Sequence, residues 1–121
     1  GMNAVVDRRA AERRGRAAET RAAWLMRARG YRVLVRRFRA RGGEIDRIVR
    51  RGQTIAFVEV KWRRSVPDLD LAIDERRLSR VAAAVGAVAH EYATGGEDVR
   101  IDVILLAPGA EPRHIANAWM P

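Results

Sequence analysis

The chain has 121 residues, about half of them apolar and a third charged, with no cysteine and a formal net charge of +9. Those bounds describe one compact soluble domain and exclude disulfides and thiolate metal sites. They also exclude a membrane span, because no apolar run approaches the ~20 residues one needs.

The opening GMNAVVDRRAAERR has no apolar h-region, so it is not a secretory signal, and a cytoplasmic setting is the simplest expectation. Gly1 ahead of Met2 reads as a residue left by tag removal. Residues 1–14 carry Arg8, Arg9, Arg13 and Arg14 and form either a basic arm or the start of a first helix. That helix is expected from about Asp7 to Arg29. Ala18, Ala22 and Leu25 recur at helical spacing, with Trp24 and Met26 widening the face, and Gly30 is its terminator. Tyr31 to Phe38, rich in β-branched and aromatic residues, reads as a strand. After the Gly42-Gly43 turn, Glu44 to Arg50 and Thr54 to Trp62 are two more strands, joined through Arg51-Gly52-Gln53.

Arg63 to Asp70 reads as a loop with Pro67 as its breaker. A second helix spans about Leu71 to Tyr92, with Ile73, Leu78, Val81, Val85 and Val88 near one face, and Gly95-Gly96 closes it. Val99 to Ala107 is a fourth strand, Pro108-Gly109 a turn, and His114 to Met120 a short final strand or a packed tail. A long helical crossover to the fourth strand predicts an α/β fold, a mixed sheet flanked by helices, in residues 15–121.

The second and third strands pose a chemical question. GEIDRIVRRGQTIAFVEVKW places Glu44, Asp46, Glu59 and Lys61 among core-like residues. Strand alternation puts Glu44 and Asp46 on one face, and Glu59 and Lys61 on the face of Ile55 and Phe57. Three carboxylates and an ammonium make a poor core. They are either exposed charges on a solvated sheet or, if the hairpin aligns them, a site for a hard cation such as Mg²⁺ or Mn²⁺. Lys61 is the single lysine beside 23 arginines. Lysine shifts its pKa readily and arginine does not.

Asp46 followed after twelve residues by Glu59-Val60-Lys61 resembles the PD-(D/E)-x-K signature of restriction-endonuclease-like nucleases. The wider pattern is similar to the YraN family, in GRAAE (Gly15 to Glu19), GYRVL (Gly30 to Leu34), GGEID (Gly42 to Asp46), FVEVKWR (Phe57 to Arg63), RIDVI (Arg100 to Ile104) and HIANAW (His114 to Trp119). Archaeal Holliday-junction resolvases are similar in the same segments. The resemblance implies a restriction-endonuclease-like fold and Mg²⁺- or Mn²⁺-dependent cleavage of nucleic acid, DNA foremost. It also implies, by analogy with the resolvases, a homodimer. It makes Asp46, Glu59 and Glu19 metal-binding acids, with the Val60 carbonyl as a further ligand. Lys61 becomes the group that orients or activates water, and Glu44 a supporting acid. The pattern departs at Ile45, where many such nucleases have Pro, at Arg47, where an apolar residue is more usual, and at Arg77, where similar sequences tend to have Lys.

The net charge favours a polyanionic partner, although a basic solvated surface accounts for it equally. Arg36, Arg37, Arg39, Arg41, Arg63, Arg64 and Arg77 are the candidate phosphate contacts, with Arg50 and Arg51 on the same rim. His90 and His114 lie in no ligand-spaced motif and are expected to be structural or exposed. Asp102, inside an apolar strand, is expected to pair with an arginine. Trp24 and Trp62 are expected to pack in the core.

Overall fold

A computed structural model describes residues 1–40, 43–70 and 74–119. Its elements run α1 (Met2–Ala28), β1 (Arg32–Ala40), β2 (Gly43–Arg51), β3 (Thr54–Trp62), α2 (Val66–Asp70), α3 (Glu75–Tyr92), β4 (Asp98–Leu106) and β5 (Arg113–Ile115). The five strands form one mixed sheet in the order β1-β2-β3-β4-β5. β3 and β4 are parallel and the other pairs antiparallel. The crossover between the parallel strands carries α3, as the sequence predicts. No helix among the described residues is long and apolar enough to cross a membrane.

Each face of the sheet has its own core. On one face Ile45, Ile48, Ile55 and Phe57 pack with Val103 and Leu105 against Leu78, Val81 and Val85 of α3. On the other, Val49, Ala56, Val58 and Ile104 pack against Ala18, Ala22 and Met26 of α1. Small residues on α1 let that helix approach the sheet closely. The β2–β3 hairpin closes through Gly52-Gln53, with Arg51 paired to Thr54. Gly52 has φ +58°, the positive first position of a type II′ turn, whose twist suits the flanking strands.

Four expectations are corrected. First, α1 begins at Met2, so residues before Asp7 are helical. Second, Trp24 is 64% exposed. It sits two residues from both Ala22 and Met26, about 200° round the helix at 100° per residue, and Arg27 lies over its ring at 5.5 Å. Third, the segment read as a loop around Pro67 contains the short α2. Pro67 falls in its first turn, where a missing N–H costs nothing, and Ser65 Oγ accepts from the Asp68 amide at 3.3 Å. Fourth, α3 starts at Glu75, with the Asp74 carboxylate accepting from the Arg76 amide at 2.9 Å. The predicted helical residues Leu71 to Ile73 lie outside the described residues, as do Gly42 and Met120.

A candidate acidic site where two strands part

The β2–β3 ladder runs from Arg51↔Thr54 to Arg47↔Val58 and stops there. Continued by one step, it would set Asp46 opposite Glu59. Instead the Asp46 side chain intervenes: its Oδ2 accepts from the Val60 amide at 2.8 Å. A carboxylate has replaced a backbone carbonyl as the partner of that amide, and the strands part around it.

Glu59, Val60 and Lys61 follow on β3. Glu59 is 2% exposed. A carboxylate that deep needs compensating charge, and two cations supply it: Lys61 Nζ at 2.6 Å and Arg77 Nε at 3.0 Å, both on Oε1. Arg77 reaches in from the first turn of α3, so this candidate phosphate contact is an ion-pair partner of Glu59 in the structure. The Lys61 amine is pushed below its ordinary value, chiefly by burial, with the Glu59 hydrogen bond and charge opposing.

Asp46 is half-buried beside two other acids. Its carboxyl is pushed up to about 7 by desolvation first and then by the Glu59 charge. The Val60 amide works in the other direction, and Glu19, within hydrogen-bonding reach, adds to the rise. Glu19 comes from α1, on the far side of the sheet from α3. The gap between β2 and β3 therefore gathers acids from both faces. The hairpin pattern brings Asp46, Glu59 and Lys61 together, and the first helix delivers Glu19 beside them.

Glu44 stands beside Arg37, at the margin of the site. It is exposed and pairs with Arg37 at 3.5 Å and Arg39 at 3.9 Å. Arg37 also donates to Glu19 at 3.0 Å, so that arginine links Glu44 to the site. Arg37 sits opposite the gap with φ +47°, a left-handed conformation that costs roughly 1–2 kcal/mol for a side-chain-bearing residue. Arg36↔Arg47 and Phe38↔Ile45 pair on either side of it. Arg39 and Arg36 are exposed, Arg64 is exposed, and Arg63 donates to the Trp62 carbonyl at 2.8 Å. Arg41 lies outside the described residues.

The donor set fits a hard cation. Mg²⁺ is commonly held by one or two carboxylates with substrate phosphate oxygens and water completing its shell, and Asp46 and Glu59 are the carboxylates that could serve. Among the described residues no three acidic, histidine or cysteine side chains form a ready-made cage, so substrate oxygens would have to contribute.

Two features escaped the sequence reading. Arg47, noted only as a departure, is 8% exposed and lies 3.6 Å from Glu19. His114 joins Asp102, which is fully buried as Arg100's partner: Arg100 Nη2 and His114 Nε2 each lie 2.8 Å from Asp102 Oδ2. Arg29 Nη1 stands 2.7 Å from His114 Nδ1. An arginine can only donate there, so the imidazole carries its proton on Nε2. The spacing of Arg100, Asp102 and His114 in sequence gives no sign of this cluster, because β5 brings His114 back beside β4.

The fold and site together define an α/β protein with a buried carboxylate–lysine cluster at a strand fork. The chain belongs to the uncharacterised protein family UPF0102, also called the YraN family, whose profile matches residues 18–106. It is 61% identical over 114 residues to a UPF0102 protein of Erythrobacter litoralis, covering 94% of this chain and 98% of that one. It is 54% identical over 114 residues to one from Sphingopyxis alaskensis, covering 94% and 98%. A Rhodopseudomonas palustris UPF0102 protein is 42% identical over 116 residues, covering 95% and 89%.

Proposed function

We propose that this protein is a metal-dependent phosphodiester hydrolase of the restriction-endonuclease-like kind, acting on DNA or branched nucleic acid. The observation that carries the proposal is the cluster of half-buried Asp46 with buried Glu59 and Lys61, whose ammonium touches Glu59 at 2.6 Å. Asp46 and Glu59 would hold Mg²⁺ or Mn²⁺, with the Val60 carbonyl and Glu19 as further ligands. The cation, when bound, neutralises charge on a scissile phosphate and polarises the attacking water. The chain's own groups do the rest. Burial favours the neutral amine of Lys61, and a neutral amine can accept the proton that the water loses. Glu59 fixes that amine in place. The exposed arginines draw the phosphate backbone toward the fork. A homodimer belongs to the same proposal, by analogy with the resolvases.

A second reading is a nucleic-acid-binding module or processing adaptor with little turnover. It is favoured by one observation: Glu59 Oε1 already has two cationic partners in the protein itself, Lys61 and Arg77.

The test is cleavage of linear and branched DNA with Mg²⁺ and Mn²⁺. Wild type is expected to cut. Lys61→Arg should lose cleavage by about 10²-fold or more, the usual weight of a general base, while DNA binding is kept. A guanidinium stays protonated and cannot take the proton. Glu59→Gln should lose cleavage as well. A wild-type protein inactive on every form moves the assignment to the binding module. Equal activity in all three proteins refutes a role for the cluster.

A further inference from the structure

On the α1 side of the strand fork, Arg16, Glu19, Thr20, Arg36, Arg37 and Arg47 line an open concavity of about 200 Å³. Four guanidiniums face a single carboxylate there. Glu19 engages Arg37 at 3.0 Å and Arg47 at 3.6 Å, which leaves Arg16 and Arg36 without an ion pair among the described residues.

Three features of this corner are unfavourable for the protein alone. Arg47 is nine-tenths buried on a strand whose neighbours Ile45, Ile48 and Val49 are fully buried. Its Nη1 donates to the Asp46 carbonyl at 2.7 Å, but its Nε has no partner, and a buried unsatisfied donor is costly. Arg36 and Arg47 are direct cross-strand partners, and like charges directly opposite each other repel. Arg37 adds the left-handed backbone described above. An anion seated among these groups would relieve the first two: a guanidinium turned toward a phosphate can bind it through two N–H groups, and the Arg36–Arg47 repulsion would be screened at the same time.

We propose that this concavity binds one backbone phosphate of a nucleic-acid strand, with Arg47 as its anchor. The inference rests on the nucleic-acid reading above but not on catalysis. A strand phosphate fits better than a free anion because of Glu19. Its carboxylate lines the concavity and also reaches Asp46, so an occupant sits beside the acidic fork, where a neighbouring phosphate of a bound strand would fall.

The test is the binding of fluorescein-labelled DNA duplex in EDTA, over a series of salt concentrations, with every protein carrying Glu59→Gln so that no cleavage intervenes. Arg47→Met should weaken binding about equally for unrelated sequences and lower the slope of log affinity against log salt by about one. Its melting temperature should equal or exceed that of the parent, since an apolar side chain replaces a buried, incompletely paired cation. Unchanged affinity and slope overturn the proposal. So does a lowered melting temperature with unchanged binding, which would make Arg47 a residue of the fold. Loss of stabilisation by inorganic phosphate with DNA binding intact also overturns it, because the site would then take a free anion. Should Arg47→Met not fold, the double variant Arg16→Gln/Arg36→Gln, both exposed, must lower the slope, and an unchanged slope refutes the site. Because no arm measures cleavage, a wild type that never cuts DNA leaves these outcomes readable.

Discussion

Asp46 does two jobs that pull against each other. As an acceptor for the Val60 amide it holds the strand fork open, and as a half-buried acid beside Glu59 and Glu19 it resists ionisation. Desolvation first, then the Glu59 charge, pushes its carboxyl up to about 7, against an ordinary 3.8. A folded-state pKa raised in this way means the folded chain holds a proton that the unfolded chain has released. The associated stability is fully present below about pH 4 and is lost as pH rises through about 7. The loss is on the order of a few kcal/mol. Asp46→Asn should therefore melt higher than wild type at pH 8, with the gap narrowing toward pH 5. A gap that is constant with pH would mean Asp46 is not the titrating group. Mg²⁺ should produce the opposite pattern in wild type, raising the melting temperature more at pH 8 than at pH 6, because a cation binds the ionised carboxylate. Thermal melts with and without Mg²⁺ at both pH values read this directly, with no assay of activity.

At the scale of elements, α1 shows how a local signal and a long-range one differ in legibility. Gly30 ends the helix with φ +90°. The Tyr31 amide reaches back to the Met26 carbonyl at 2.9 Å and the Gly30 amide to Arg27 at 3.0 Å, the paired bonds of a Schellman cap. Gly30→Ala meets no clash, since its nearest neighbour would be an Arg51 carbon at 3.5 Å. It should nonetheless cost roughly 1–2 kcal/mol through the backbone alone, measurable by denaturant titration. This stop was readable from the sequence because it depends on one glycine. So were the bounds of β3, where alternation and the Gly52 turn agree. Trp24 is less legible: its neighbours Leu25 and Met26 belong to the apolar face, but the 100° rotation per residue turns Trp24 itself to solvent. The fork at Asp46 was legible as a collection of acids, through strand parity. Its mechanism was not, since an Asp side chain replacing a ladder carbonyl leaves no pattern in the chain. Arg47 and the Asp102–His114 pair were hidden for the same reason: each depends on partners from elements distant in sequence.

For the whole molecule, the +9 charge is spread over arginines with different duties. Arg50 is tied to Glu97 at 2.9 Å, Arg100 to Asp102 at 2.8 Å and Arg77 to Glu59 at 3.0 Å. Those pairs serve the fold or the site and contribute little free charge. Arg16 and Arg36, with no ion pair among the described residues, keep theirs, and Arg39, 87% exposed at its side chain, is held only by a 3.9 Å contact to Glu44; all three lie on or near the β1 side of the fork. A polyanion should therefore be drawn to that side. Each phosphate that an arginine neutralises releases condensed counterions, so affinity should fall linearly on a log–log plot against salt. If about six phosphates are contacted, the loss between roughly 50 and 200 mM salt is about a thousandfold. Duplex DNA should give a steeper slope than a single strand, because its charge density is higher. Fluorescence anisotropy of labelled duplex and single strand across that range measures both slopes. Binding that ignores salt, or no binding at the low end, would mean that the exposed arginines only solubilise the chain, and the nucleic-acid assignment would fall with it.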